Sequence, residues 1–245
     1  MATPSPAKTS SDDRSLVAPI WHTILFVFVV LALALLQGRQ QPKLASLQLQ
    51  SRLPLYGTMI AFELILFSYV WLLGLRPAGK RLRDVIGGRW TNLTDVLHDI
   101  GIAIVFWIIV AGILLALEHI LGENATALRA VKLLLPQTPV EMAAWIALAT
   151  TAGFCEEVVF RGYLQRQFLA ITGRVELGVA LQALIFGFGH LYQGEKGVIT
   201  ITVYGAMFGI LAVARNSLRP GMIQHAGQDI FSGIVGSLLA RRHLF

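Results

Sequence analysis

Runs of about 20 predominantly apolar residues recur along the chain, and they limit the fold most, because about 20 helical residues cross the hydrocarbon core of a bilayer. The runs lie at about 17–37, 54–75, 95–118, 139–170, 174–192, 197–214 and 220–240. Hydrophobic residues make up 55% of the 245 residues and charged residues only 14%, with a mean hydropathy of +0.65. We therefore predict an all-α, polytopic membrane bundle of about seven transmembrane helices, which forms one domain over residues 17–245.

The segments outside these runs predict the orientation of the chain. Residues 1–16 are polar and rich in Pro and Ser, so we predict a disordered tail, and no small-x-small cleavage site follows the first run. The loop at 76–90 holds five basic residues and one acid, which is typical of the cytoplasmic side. We predict a multi-pass protein of a bacterial inner membrane with a cytoplasmic N-terminus. The formal net charge of +6 then reflects loops that contact lipid headgroups, and we expect no nucleic-acid partner.

Two adjacent carboxylates, Glu156 and Glu157, lie in the stretch GFCEEVVFRG, directly after a membrane-embedded run. Their helix begins with the capping box Thr138-Pro139-Val140-Glu141 and meets a stop signal at Thr172-Gly173, so it is longer than the bilayer is thick. Arg161 lies four residues after Glu157 on the same face, which predicts an ion pair. Glu156 is then an unpaired buried carboxylate, which suits general acid/base chemistry.

Two histidines lie in later runs, His190 in FGFGH and His225 in HAGQD. Glu156 and His190 are about 16 and 17 residues from the turn at Thr172-Gly173, so an antiparallel hairpin brings them to nearly one depth. His225 and Asp229 are four residues apart on one helix face. His225 lies only about eight residues past its preceding turn, which predicts a position several ångströms shallower than that of His190.

These residue types allow more than one function. A carboxylate, two histidines and an aspartate in a wet cavity can activate water for hydrolysis, or they can bind Zn²⁺. HExxH and GxSxG motifs are absent, and Cys155, the only cysteine, is a poor nucleophile beside a glutamate. Glu63 is an intramembrane acid without an assigned role. Two alternatives stay open: a proton or ion carrier that uses Glu156, His190 and Asp229 as a relay, and an inactive membrane scaffold or immunity protein.

Three motifs in this chain resemble those of the CPBP family, which groups CAAX-processing endopeptidases and bacteriocin-processing enzymes and is also called Abi. EEVVFR at 156–161 is similar to EExxxR, FGFGH at 186–190 to FxxxH, and HAGQD at 225–229 to HxxxN or HxxxD. Their order matches the family, which predicts a protease core at about 95–240. The resemblance implies an intramembrane endopeptidase that hydrolyses membrane-associated peptides or proteins in the lipid bilayer, either prenylated CAAX-type or bacteriocin-like.

The resemblance also implies a role for each matched residue. Glu156 and His190 are expected to activate the hydrolytic water and His225 to bind the oxyanion. The supporting residues are Glu157, Arg161 and Phe186. Asp229 occupies a position that is often asparagine, and because an ionised aspartate repels an oxyanion, it must be protonated, orient His225 or ligate a metal. The family has been described both as metalloproteases and as glutamate proteases. A divalent metal such as zinc would take as ligands Glu156, His190, His225 and Asp229.

Overall fold

The computed structural model describes residues 15–45 and 49–242, and these ranges contain helices and no strand, which confirms the predicted all-α bundle. The helices are α1 (Ile20–Ala45), α2 (Leu53–Tyr69), α3 (Leu82–Ile86), α4 (Leu93–Leu121), α5 (Ala125–Leu134), α6 (Pro139–Glu156), α7 (Gln165–Thr172), α8 (Val175–Gly189), α9 (Gly194–Arg215) and α10 (Arg219–Arg241). α2 continues in π-helical geometry over Val70–Leu75, and a 3₁₀ turn, Leu191–Gln193, precedes α9. Most of the tail predicted at 1–16 lies outside the described residues.

Five of the described helical stretches are long and apolar enough to cross a bilayer: Ile20–Gln40, Leu53–Leu75, Leu93–Leu121, Pro139–Thr172 and Leu191–Arg215. The other two predicted spans differ from these. α8 is apolar but has only 15 residues, about 22 Å at 1.5 Å per residue, whereas the hydrocarbon core is about 30 Å thick. α10 has 23 residues, but it carries polar side chains that include Gln224, His225, Gln228 and Asp229. The helices that present the predicted histidines thus lack either the length or the apolarity of the other five.

The long helix that carries the adjacent carboxylates runs without a break from Pro139 to Thr172, as predicted. Its first turn is capped by Thr138, whose side chain accepts a hydrogen bond from the Glu141 N–H at 3.2 Å. The Glu141 carboxylate does not close the capping box. It accepts instead from the Gln137 N–H and the Arg52 N–H, each at 2.8 Å. The start of α6 is therefore fixed to the start of α2, and the two helices run parallel.

The turn between α9 and α10 lies level with Gly162, ten residues before the end of the long helix. A Cβ on Gly162 would lie 3.2 Å from Leu218 Cδ1, so these two residues share one level. α3 packs against the same turn, because the Leu218 N–H donates to Ile86 O at 2.9 Å. From this level Glu156 is six residues away and His225 is seven, about 10 Å in both cases. The shallower position predicted for His225 is therefore wrong, since the two turns do not share a depth.

α1 is attached to the long helix through buried polar groups. The Ala18 N–H donates to Gln167 Oε1 at 3.1 Å, and Gln167 Nε2 donates to Ala18 O at 2.8 Å. One turn earlier, the Tyr163 hydroxyl lies 2.8 Å from both His22 Nδ1 and Thr23 Oγ1. Buried polar groups whose hydrogen bonds are all formed in one way specify one arrangement of the helices. They fix α1 against the part of the long helix that follows Glu156.

α9 meets its neighbours closely at Gly205 and Gly209. A Cβ on Gly209 would lie 2.7 Å from Gln165 Oε1 and 2.8 Å from Gln182 Nε2. Because glycine has no side chain, the two glutamines can reach the backbone of α9. Gln165 Nε2 donates to Gly209 O at 3.0 Å, and Gln182 Nε2 donates to Gly205 O at 2.9 Å. Small residues and side-chain amides are the usual means of joining helices in membranes. The contacts hold α8, which ends at His190, against α9 and the long helix.

Candidate active site

Glu156 is the last residue of α6, and the chain continues in π-helical geometry over Glu157–Leu164 before α7 begins. All eight residues of this π segment are buried. Hydrogen bonds from residue i to residue i+5 widen the helix, and such segments are frequent at functional sites. The helical period of 3.6 therefore does not carry over from α6 to α7, and sequence spacing alone could not predict which side chains share a face across the π segment.

Glu157 and Arg161 form the predicted ion pair inside the π segment. Arg161 Nη1 lies 3.1 Å from Glu157 Oε1, and the two side chains are 0% and 1% exposed. Arg161 Nη2 donates to Gly205 O at 3.2 Å, and Arg161 Cζ lies 4.4 Å and 5.1 Å from the ring centres of Phe186 and Phe208. The ion pair and the two aromatic faces together offset the cost of burying the guanidinium. Phe186, predicted as a supporting residue, thus covers this charge.

Glu157 also contacts His225, which sequence spacing did not suggest. Glu157 Oε1 lies 3.1 Å from His225 Nδ1. An ionised carboxylate only accepts hydrogen bonds, so Nδ1 donates and its proton is fixed there. His225 Nε2 then faces Glu156 Oε2 at 3.5 Å and Asp229 Oδ2 at 3.9 Å. Glu157 therefore sets the orientation of His225 as well as neutralising Arg161.

These contacts depend on the close approach of α6 and α10. A Cβ on Gly153 would lie 2.8 Å from Ala226 N and 2.9 Å from Ala226 Cβ. A Cβ on Gly221 would lie 3.3 Å from Glu157 Oε2. Glycine at both positions lets the helices touch at their backbones, which is common for helix pairs in membranes. Without this approach His225 would not reach the two glutamates.

Asp229 lies at the outer edge of the group. Its side chain is 37% exposed, whereas those of Glu156 and His225 are 14% and 6% exposed. Its backbone carbonyl accepts a hydrogen bond from Trp145 Nε1 at 2.8 Å, which ties this part of α10 to α6. Among the predicted residues on α6 and α10, Asp229 is thus the one with the most access to solvent.

His190 follows the last residue of α8, where it faces the end of α6. His190 Nδ1 lies 2.9 Å from Phe186 O, and because a carbonyl oxygen only accepts, Nδ1 donates this hydrogen bond. The ring also packs against Phe186 and Tyr192, with ring centres 4.8 Å and 5.9 Å apart. The backbone contact fixes the tautomer, so the neutral ring presents an unprotonated Nε2 as an acceptor.

A cavity of about 980 Å³ brings Glu156 and His190 together, as the matched depths predicted. The polar residues that line it include Glu63, Glu156, His190 and Tyr192. The rest of the described wall is mostly apolar and comes from several helices, with side chains that include Leu33, Met59, Phe62, Leu66, Leu133, Val159 and Phe160. His225 and Asp229 are not among the described residues that line this cavity. His225 is next to this group of residues through its contact with Glu156, at 3.5 Å from Nε2 to Oε2.

Glu63 and Tyr192 also line the cavity, although no sequence motif assigns a role to either of them. Glu63 lies on α2 and lines the same cavity as Glu156. Tyr192 follows His190 and accepts a hydrogen bond from Gln193 Nε2 at 3.1 Å. The one available signal for Glu63 was its position as a lone acid inside an apolar run, which is a general sign of function in membrane helices.

The predicted metal ligands do not form a metal-binding group. In the described parts of the chain, 15–45 and 49–242, no three His, Cys, Asp or Glu side chains are arranged to hold a metal ion. His225 Nε2 lies near Glu156 and Asp229, whereas His190 faces the cavity from α8. The four residues thus do not fit the zinc site that the resemblance implied.

A comparison with protein families agrees with the site. A sequence model of the family described as Rce1-like, type II CAAX prenyl endopeptidase, matches residues 137–231. This segment begins just before α6 and includes all three motifs, so the match confirms the resemblance to CAAX-processing proteases. No curated protein and no solved structure matches the chain. At the level of the family, the match supports a CAAX-type intramembrane protease.

Proposed function

We propose that this chain, whose residues 137–231 are Rce1-like, is an intramembrane endopeptidase that uses a water activated by Glu156 and His190. The observation that carries the proposal is the shared cavity, in which a carboxylate and an unprotonated imidazole nitrogen meet an apolar wall. General bases must lie within reach of the proton that they remove, directly or through one water. We propose that a water held in this cavity lies within reach of both groups.

The first step is the attack of water on the peptide carbonyl carbon. The Glu156 carboxylate takes one proton from the water, while His190 Nε2 accepts a hydrogen bond from the other and orients it. The new C–O bond forms and the carbonyl π electrons move onto oxygen, which gives a tetrahedral oxyanion. Collapse of this oxyanion breaks the C–N bond once the amide nitrogen has received a proton. General acid/base contributions of this type are typically about 10²–10⁴-fold in rate.

The oxyanion is the point at which His225 acts. With Nδ1 held by Glu157, the other ring nitrogen lies 3.5 Å from Glu156 Oε2, beside the reacting water. In its doubly protonated form the ring donates an Nε2–H to a developing negative charge, and a donor that is already in place needs no reorganisation during the reaction. Asp229, 3.9 Å from the same nitrogen, acts through His225 by favouring its charged form. We propose this role for the aspartate at a position that is often asparagine.

The cavity wall indicates the class of substrate. A space of about 980 Å³ with mostly apolar sides accommodates a lipid-modified residue or an apolar peptide segment beside the reacting bond. A prenylated CAAX-type peptide and a bacteriocin-like peptide both fit this description, and the family match favours the prenylated one. We propose that the basic loop at 76–90 faces the cytoplasm of a bacterial inner membrane, so substrates reach the site from that leaflet.

The test is cleavage of a fluorogenic peptide in proteoliposomes, with a farnesylated and an unmodified version of one sequence. We expect the wild-type protein to cleave the farnesylated peptide faster, and Glu156→Gln and His190→Ala each to reduce kcat by about 10²-fold or more. Glu118→Gln is the matched control, because Glu118 is an exposed acid on a membrane-spanning helix. Undiminished cleavage in both active-site variants would exclude the mechanism. Proton flux without cleavage would favour the carrier alternative.

A further inference from the structure

Polar side chains of α1 and α5 also line the cavity. They are Gln37 and Gln40 on α1, and Thr126 and Arg129 on α5. Amide, hydroxyl and guanidinium groups all donate hydrogen bonds, so this set of residues is suited to an acceptor such as an anion. The hydrolytic groups described above include none of the four. Both helices lie outside the matched segment 137–231, so the family match assigns these residues no role.

α1 and α5 both contact the 3₁₀ turn that follows His190. On the α1 side, a Cβ on Gly38 would lie 3.0 Å from Leu191 Cδ2. On the α5 side, a Cβ on Gly194, directly after the turn, would lie 3.4 Å from Thr126 Cβ. The donor groups of the two helices therefore lie beside the segment of chain that leads away from His190.

Arg129 supplies the positive charge of this group. It is the only lysine or arginine among the described residues that line the cavity, and it is exposed. Arg129 Nη2 donates to Thr126 Oγ1 at 3.4 Å, which places the guanidinium next to the residue that packs on Gly194. Within the described chain, no aspartate or glutamate lies at ion-pairing distance from it. A guanidinium has five N–H donors, so most of them are available to a ligand.

We propose that Arg129, together with the neighbouring amide and hydroxyl donors, binds the free C-terminal carboxylate of the peptide substrate. This role rests on the proposed peptidase function and adds a residue that selects the substrate. An arginine and a carboxylate form two parallel N–H···O bonds, which fix the orientation of the carboxylate as well as its position. The end of the peptide is then held on one side of the bond that is cleaved.

The distance from His190 to this group suits a short C-terminal segment. His190 and Gly194 are four residues apart, about 8 Å at the rise of about 2.0 Å per residue of a 3₁₀ turn. Three residues of an extended peptide span about 10 Å. In a CAAX sequence three residues follow the prenylated cysteine, and the last of them carries the free carboxylate. The apolar wall can then hold the lipid while Arg129 holds the end of the chain.

The test combines one change in the protein with one change in the substrate. Two farnesylated fluorogenic peptides of one sequence, a C-terminal acid and a C-terminal amide, are compared in phosphatidylcholine proteoliposomes. In the wild-type protein we expect amidation to lower kcat/KM by about 10–100-fold, as for a lost charge-assisted hydrogen bond. Arg129→Met should cause a similar loss with the acid and less than about twofold with the amide, whose carboxylate is already absent. Arg129→Lys should lie between them, because it keeps the charge but not the paired donors.

Arg39→Met is the matched control. Arg39 is also an exposed arginine, and it neighbours Gln40 on α1 but is not among the described residues that line the cavity. We expect it to leave kcat/KM unchanged for both peptides. Equal losses in Arg39→Met and Arg129→Met, or equal cleavage of acid and amide by the wild-type protein, would overturn the carboxylate site and leave the peptidase function intact. An effect of Arg129→Met that requires phosphatidylglycerol in the vesicles would assign the arginine to a lipid headgroup and overturn it as well.

Peptide binding tests the site without cleavage. In Glu156→Gln protein we expect the Kd of the acid peptide to be about 10–100-fold lower than that of the amide, and this preference to disappear when Arg129→Met is added. Equal Kd values with Arg129 present would overturn the carboxylate site. Absence of cleavage by the wild-type protein, with the preference for the acid retained in binding, would overturn the proposed hydrolysis and support the carboxylate site.

Discussion

Replacing Arg161 with methionine removes a buried charge and keeps much of the volume of the side chain. Glu157, which is 1% exposed, loses its arginine partner at 3.1 Å. Removal of one partner of a buried ion pair costs about 3–5 kcal/mol, because the other charge stays buried. The lost cation–π contacts with Phe186 and Phe208 add about 1 kcal/mol. Gly205 O keeps the hydrogen bond from Gln182, so its desolvation adds little.

We therefore expect Arg161→Met to lower the free energy of unfolding by about 4–6 kcal/mol. Denaturant titration of the detergent-solubilised protein, followed by tryptophan fluorescence, measures this change. In the double variant Arg161→Met with Glu157→Gln, no unpaired carboxylate stays buried at position 157. We therefore expect its free energy of unfolding to be about 2–4 kcal/mol higher than that of Arg161→Met alone. Arg129→Met, at an exposed arginine, should change stability by no more than about 0.5 kcal/mol.

Two outcomes would refute this reasoning. If Arg161→Met unfolds within about 1 kcal/mol of the wild-type protein, the pair does not hold a buried charge in the way described. If the double variant is no more stable than Arg161→Met, the cost lies in lost packing around the guanidinium and not in the stranded carboxylate of Glu157.

Further substitutions test the geometry of the site. Gly153→Ala should lower kcat at least tenfold in folded protein, because its Cβ would lie 2.8 Å from Ala226 N and push α10 away from Glu156. Gly101→Ala is the control and should leave kcat unchanged, because there is open space around Gly101. Equal kcat values in the two variants would contradict this reasoning. Asp229→Asn should reduce kcat less than Asp229→Ala does, because asparagine can donate to the oxyanion, and an inactive Asn variant would mean that the carboxylate is indispensable. Tyr163→Phe should cost about 1–2 kcal/mol in denaturant titration with kcat retained, since its hydroxyl joins His22 and Thr23 and Tyr163 is not among the described residues that line the cavity; an unchanged unfolding curve would count against this role.

The features predicted correctly from the sequence follow local rules. The cap at Thr138, the continuous helix to Thr172 and the pair Glu157–Arg161 each depend on residues within a few turns of one another. The common depth of Glu156 and His190 follows from counting residues on either side of one turn. These spacings are fixed by helix geometry, so the sequence alone determines them.

The features that were missed depend on how distant segments meet. The level of the α9–α10 turn is set by α3, through the Leu218 to Ile86 hydrogen bond, and no pattern near His225 records this. The contact of Glu157 with His225 requires a glycine at 153, which is about seventy residues from His225 along the chain. Glu63 and Glu156 line one cavity only because α2 and α6 pack in parallel. An acid inside an apolar run indicates a function but not a partner.

Much of the cavity wall and the proposed hydrolytic groups come from different parts of the chain. The matched segment supplies Glu156, His190 and His225, whereas much of the apolar wall, with Leu33, Met59, Phe62 and Leu133, comes from α1, α2 and α5. Substitutions in these three helices can alter which hydrocarbon fits without moving a reacting atom. Substrate choice and bond cleavage can therefore evolve independently in this architecture, and a chimera that exchanges only the wall would inherit the preference of the donor.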